Sequence, residues 1–262
     1  MRWLRNRGQG IRYADDLPDW IAEYEATRTG EMRMANRMFR PKPLFYRRGE
    51  FGDDHRLKYL LMFLDVRDWR VLELGPLSCH HSIMLEKLGV RETVAVEGRE
   101  SNYQNCLQVK EAYGLDRTIL VSQNIEDLYE GHGSPLFEGR FDLVFCAGLF
   151  YHLPDPGKAL SWLRQQSPRL FLATHYVEPA MERLYQPPMF VDRDYAFSGC
   201  VYRTKSFREG GLESALSGLS DFSTWLYEAD LLELIRGAGY QTVEVLGKDV
   251  QSGLPHVTIM AE

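Results

Sequence analysis

A chain of 262 residues, 44% of them apolar, suits one α/β domain with an appendage and can bury a sizeable core. A net charge of −6 argues against bulk binding to nucleic acid or anionic membranes. The longest nearly apolar run, Leu143 to Leu153, is too short to span a bilayer. The four cysteines lack CxxC spacing and the density of a disulfide scaffold. With no apolar leader after Met1-Arg2-Trp3-Leu4, a cytoplasmic protein is expected.

Residues 11–39 have helical, amphipathic spacing, with Trp20, Ile21, Tyr24, Met32, Met34 and Met38 apolar and Gly30 as a break. From Arg33 to Arg48 there are six basic residues and no acid, interleaved with Phe39, Phe45 and Tyr46. This N-terminal stretch, 1–64, is expected to form a helical cap that offers Tyr46 and Arg47 to a substrate; its last part, His55 to Leu64, reads as a helix. A regular alternation then begins. Strand 69–74, helix 78–88, strand 92–97, helix 100–113 and strand 117–122 follow one another, with Ser78 as the expected N-cap of the first helix. A loop over Glu126-Asp127-Leu128 and a surface turn at Gly131, Gly133 and Pro135 lead to strand 141–146, nearly all apolar as a central parallel strand is. Helix 157–164 and strand 169–174 complete the run. Strands alternating with helices predict βαβ units and a parallel sheet. Residues 176–223 read as an insertion beside the substrate. Asp221 to Leu226 reads as the opening of a helix ending at Gly237 and Gly239, and strands 241–246 and 255–260 as a closing antiparallel pair.

The stretch Val71-Leu72-Glu73-Leu74-Gly75-Pro76-Leu77-Ser78 joins a buried strand to a helix N-terminus through a tight turn. Such a unit presents backbone donors to a ligand above the strand end. Twenty-two residues after Gly75, Glu97 closes the next strand, where an acid grips a ribose diol. The loop itself decides the cofactor. Leu77 and Cys79 stand where a dinucleotide loop needs glycine, so a pyrophosphate is a poor guest, and no G-x-x-x-x-G-K-[ST] loop is present for a nucleoside triphosphate. The adjacent His80 and His81 point about 100° apart on a helix, which is weak support for a metal, and none is expected.

Four stretches at these intervals resemble the class I S-adenosylmethionine-dependent methyltransferases, from about Trp69 to Thr174. They are Val71 to Gly75, Val94 to Glu97, Ser122 to Leu128, and Phe141 to Pro156 with its His152-Leu153-Pro154-Asp155-Pro156 turn. The resemblance implies a Rossmann-like fold with a mostly parallel seven-stranded sheet flanked by helices, in a domain spanning 65–262. It implies S-adenosyl-L-methionine as cofactor. Glu73, Gly75, Pro76 and Leu77 would line its methionine end, Glu97 with Gly98 its ribose, Asn124 and Ile125 its adenine, and Cys146, Ala147 and Gly148 its sulfonium.

His152, after the fourth strand, is the first candidate base for a hydroxyl acceptor, and His175, ending the fifth strand, the second. Tyr151, Tyr202 and Arg203 join Tyr46 and Arg47 as candidate substrate contacts. The favoured expectation is methylation of a small molecule at a hydroxyl oxygen. Two others stand beside it. One is modification of RNA, because the Tyr151-His152 turn resembles that of the enzymes that alkylate tRNA wobble uridine. The other is a non-catalytic S-adenosylmethionine-binding scaffold.

Overall fold

The computed structural model describes residues 56, 59–60, 63–132, 135–210, 214 and 216–262. The expected helix over 11–39, the basic segment with Tyr46 and Arg47, and most of the cap lie outside them. Arg56, Tyr59, Leu60 and Phe63, from the expected 55–64 helix, are helical.

The first half follows the alternation. Strand β1 (Arg70–Leu74) leads to helix α1 (His80–Lys87), β2 (Glu92–Glu97), α2 (Glu100–Tyr113), β3 (Thr118–Ser122) and α3 (Ile125–Tyr129). After a 3-10 turn at Pro135–Phe137 come β4 (Leu143–Ala147), a second such turn at Phe150–His152, α4 (Pro156–Gln166) and β5 (Leu170–His175). Period two in the strands sends alternate side chains to opposite faces, and the buried residues divide accordingly. Leu72, Leu74, Val144 and Cys146 pack with Leu160 and Leu163 of α4 in one cluster. Val71, Leu143 and Phe145 pack with Ile83, Met84 and Leu85 of α1 in the other. Glu73 falls on this second face and is buried there.

The second half is β6 (Phe190–Phe197), β7 (Cys200–Arg208), β8 (Phe222–Leu226), α5 (Glu228–Gly237), β9 (Val243–Gln251) and β10 (Leu254–Ala261). Seven strands form one sheet in the order β3-β2-β1-β4-β5-β10-β9. The first five are parallel, and β10 runs antiparallel to both β5 and β9. The closing antiparallel pair was expected. The insertion contributes a separate antiparallel sheet, β6-β7-β8.

Three local expectations are corrected. Phe222 to Leu226 is a strand. Phe222, Trp225 and Leu226 have helical spacing, but Ser223-Thr224-Trp225 suits a pleated surface, and β8 pairs with β7 from Thr204↔Leu226 to Arg208↔Phe222. The helix starts only at Glu228, with Glu228 and Asp230 in its first turn, where acids suit the macrodipole. Glu126-Asp127-Leu128 is helical, because the Asn124 side chain caps α3 by accepting from the Glu126 N–H at 3.1 Å. Ser78 is not the cap of α1. Cys79 holds that position in a left-handed conformation and makes no side-chain cap bond. Asp155, by contrast, caps α4 by accepting from the Lys158 N–H, with Pro156 following it at the helix start.

Candidate active site

A cavity of about 490 Å³ opens above the C-terminal ends of β1, β2, β4 and β5, the crevice where open α/β sheets bind ligands. Its floor is the loop after β1. Gly75, Leu77 and Cys79 have φ of 66°, 55° and 56°, so every second residue is left-handed although only the first is glycine. Each non-glycine costs about 1 kcal/mol in that region. The surroundings offset the cost. The Leu77 N–H donates to Glu97 Oε2 at 3.1 Å, the Cys106 thiol lies 3.6 Å from the Leu77 carbonyl, and Cys79 is fully buried. The backbone path of a glycine-rich loop is thus kept without its later glycines.

Glu97, at the end of β2, is nearly buried and spans the loop. Besides Leu77 it accepts from the Arg99 N–H at 2.9 Å. Burial raises its pKa, against the opposing pull of those backbone donors and of Asn102. With Leu77, Arg99 and Asn102 as donors, the carboxylate keeps acceptor capacity for one further donor. Gly98, Asn124, Ile125, Ala147 and Gly148 also line the cavity. The Asn124 oxygen is partly committed to its cap, and the Ile125 N–H lies in the first turn of α3, where no intrahelical acceptor exists.

Two residues expected in the cofactor set lie beneath the cavity. Glu73 and Cys146 are 1% and 0% exposed and do not line it. Glu73 accepts from the Ser82 hydroxyl, and its Oε1 has no hydrogen-bond partner among the described residues; burial pushes its pKa up to about 7. The expected substrate contacts Tyr202 and Arg203 sit elsewhere. Tyr202 belongs to the core, and Arg203 grips Asp230 of α5 through its backbone N–H at 3.0 Å and its guanidinium at 2.9 and 3.1 Å.

At the other end of the cavity Tyr151, His152 and His175 come together. His152 Nδ1 lies 3.1 and 3.2 Å from the carboxylate oxygens of Glu209, whose side chain is fully buried. A carboxylate only accepts, so Nδ1 donates to it, and in that tautomer the open lone pair is at Nε2. Glu209 also accepts from the Gly218 N–H at 2.7 Å. Gly218 is needed there, since a Cβ would come within 2.8 Å of the His152 carbonyl. The strap 216–220 continues past this point. Arg99 donates to the Ser217 carbonyl at 2.9 Å, and the Ser220 hydroxyl contacts Glu126 at 2.8 and 2.9 Å. Sequence reading missed Glu209, which sits in an unremarkable polar turn after β7. Arg56, Gln251 and Ser252 line the same end and were also missed. No group of three metal-ligating side chains occurs among the described residues.

The strand order, with a single reversed strand between β5 and the edge, decides the fold. It is the class I methyltransferase fold. In agreement, the chain aligns with the crystal structure of the N-terminal domain of EvdMO1 with SAH bound, with a TM-score of 0.65 over 90% of this chain and 96% of that one at 24% identity. It is 30% identical over 131 residues to a ubiquinone biosynthesis O-methyltransferase of Xanthomonas oryzae pv. oryzae, covering 48% of this chain and 51% of the relative. It is 24% identical over 126 residues to a tRNA U34 carboxymethyltransferase of Campylobacter hominis, covering 47% and 42%. The chain thus spans about half the length of the curated relatives it matches. No protein-family model matches it. Within the methyltransferase fold, the loop after β1, the acid ending β2 and the turn after β4 meet at one cavity, and the β6-β7-β8 insertion supplies Glu209 and the strap across it. No helix among the described residues is long and apolar enough to cross a membrane.

Proposed function

We propose that the chain is an S-adenosylmethionine-dependent methyltransferase acting on a hydroxyl oxygen of a small molecule. The observation that carries this reading is the His152–Glu209 pair, an imidazole whose open nitrogen faces the cavity that Glu97 and the β1 loop share. The residues present fit the cofactor. An acid with spare acceptor capacity stands at one wall, backbone lines the floor, Val96, Ile125 and Leu153 are apolar, and the loop after β1 has no lysine for a triphosphate. Glu97 would accept from the ribose hydroxyls, Ile125 would face the adenine, and Gly75 to Leu77 with Ala147 and Gly148 would hold the methionine end. Bound there, S-adenosylmethionine supplies an electrophilic methyl group. The protein aligns the acceptor and manages its proton. His152 takes the hydroxyl proton at Nε2 as the oxygen becomes methylated, and the Glu209 carboxylate stabilises the charged ring and fixes its tautomer. The catalytic unit in this reading is 65–262, with 176–223 on the substrate side and 1–64 as a cap, in a cytoplasmic protein.

Calorimetric titration with S-adenosylmethionine and S-adenosylhomocysteine, with NAD as control, tests the reading. Micromolar binding of the first two without NAD supports it, and their failure to bind removes it. A second reading, modification of tRNA, is favoured by the name of the Campylobacter relative and by the basic segment 33–48. RNA binding whose affinity falls steeply with salt would put it first.

A further inference from the structure

The acceptor end of the cavity holds two imidazoles in matching states. His175 Nδ1 lies 2.9 Å from the Pro255 carbonyl. A carbonyl only accepts, so here too Nδ1 carries the proton and Nε2 is left as an acceptor. Burial lowers the His175 pKa, and the neighbouring His256 is lowered to about 4, so this pair is neutral at physiological pH. Both His152 and His175 line the cavity, and among the described residues neither Nε2 has a hydrogen-bond partner or is a buried orphan. Both rings are fixed by packing. His175 stacks on Trp225 with centroids 5.3 Å apart and planes 6° apart, and the Tyr151 ring packs against both histidines, with centroids 4.2 Å from His152 and 4.6 Å from His175.

We propose that the acceptor carries two neighbouring hydroxyl groups, one presented to His152 and the other to His175. The inference rests on the methyl-transfer reading of this cavity and names its substrate class. A single hydroxyl satisfies one acceptor and leaves the other dry, which costs a desolvation penalty. A carboxylate would set its lone pairs against both nitrogens. An amine offers its N–H groups from one atom, whereas the two acceptors stand on separate rings, each against Tyr151. A vicinal diol supplies two donors from adjacent carbons. Methylation then falls on the hydroxyl at His152, whose proton passes to Nε2, while the second hydroxyl keeps its proton and donates to His175. His175 acts here as a specificity-determining residue. The diol can be aromatic, as in a catechol, or aliphatic, as in a sugar.

The test compares catechol with phenol and cis-cyclohexane-1,2-diol with cyclohexanol, by NMR titration of the protein saturated with S-adenosylhomocysteine. At least one diol is expected to bind about tenfold or more tightly than its partner, near the ratio for one well-made hydrogen bond. The pair that discriminates identifies the source. His175→Phe keeps a ring on Trp225 and is expected to bring that ratio to about one, leaving S-adenosylhomocysteine affinity unchanged. In parallel, long-range proton–nitrogen spectra of the unaltered protein should show the diol moving the Nε2 resonances of both histidines and the mono-alcohol moving one. Ratios near one for both pairs, including no binding by any of the four probes, overturn the proposal, as does a ratio that survives in His175→Phe. Failure of S-adenosylhomocysteine to bind counts against the methyl-transfer reading instead, and the same four titrations on the free protein still judge the diol.

Discussion

Replacing Glu209 by glutamine changes one atom of a buried side chain and reverses the logic of the base. The carboxylate serves two donors, the Gly218 N–H at 2.7 Å and His152 Nδ1 at 3.1 Å. Glutamine has one oxygen to share between them. The shorter bond keeps it at the Oε2 position, and the amide NH₂ takes the Oε1 position, the nearer of the two to Nδ1. That nitrogen must then accept, the proton moves to Nε2, and the ring can no longer take one from a hydroxyl. General-base catalysis contributes about 10²–10⁴ in rate, so Glu209→Gln is expected to cost about 3–5 kcal/mol in the barrier. Gly218 and His152 both keep a hydrogen-bond partner, so global stability should change by less than about 1 kcal/mol. Cofactor affinity should hold within about twofold, because Glu209 does not line the β1 loop. Transfer of labelled methyl to the best diol found above gives kcat, calorimetry gives the cofactor affinity, and long-range proton–nitrogen spectra read the tautomer of His152 directly. A variant with full kcat, or one that keeps its proton on Nδ1, would refute the assignment of Glu209 as the residue that positions the base.

Three further outcomes follow from the same geometry. Glu97→Ala removes charge-assisted acceptors of about 1.5–3 kcal/mol, so calorimetry should give S-adenosylhomocysteine binding weaker by about 10–100-fold; unchanged affinity removes the ribose assignment. Gly218→Ala drives a Cβ into the His152 carbonyl and the Glu209 carboxylate, and kcat should fall by more than cofactor affinity does; equal losses would mean that the strap serves the cofactor alone. Glu73 holds a proton more tightly folded than unfolded, with a pKa of about 7 against 4.5. Its contribution is therefore full below pH 4.5 and is lost as pH rises through 7, by at most about 3 kcal/mol. Glu73→Gln should stabilise the protein in denaturant at pH 8 and leave it nearly unchanged at pH 4; a gain equal at both pH values would refute the shifted carboxyl.

The parallel half of the sheet was legible because its strands are short, apolar and separated by helices with their own signals. The place of Glu97 at the end of β2, lining the cavity, was legible through its distance from Gly75. Glu209 was not, because 57 residues separate it from His152 and Arg208-Glu209-Gly210 reads as any surface turn. Only the packing of β8 against the turn after β4 brings the β7–β8 connection to His152. The loop after β1 misled in a different way. Leu77 and Cys79 look like lost glycines, yet they keep the left-handed path, since hydrogen bonds to Leu77 and burial of Cys79 outweigh the local strain. Phe222 to Leu226 misled through spacing, for three apolar residues at i, i+3 and i+4 fit a helix face as well as an edge of the small sheet. Glu73 was placed at the ligand by position in its motif, and its parity along β1 sends it under the floor.

The reversed strand β10 has an effect on proton placement. In a sheet whose other inner strands run parallel, every strand ends at the cavity, and a final parallel strand would have arrived there with its last residues. Running backwards, β10 instead begins there, directly out of the β9–β10 hairpin, and sets His256 opposite His175. The carbonyl of Pro255, one residue earlier, then reaches the neighbouring ring and pins its hydrogen to Nδ1. Chain direction in one strand thus dictates which nitrogen of a ring on another strand stays bare. Insertions or deletions in the turn at Gln251 to Gly253 would accordingly be felt as a change of hydrogen-bond polarity at the acceptor, beyond the loss of the lining that Gln251 and Ser252 provide.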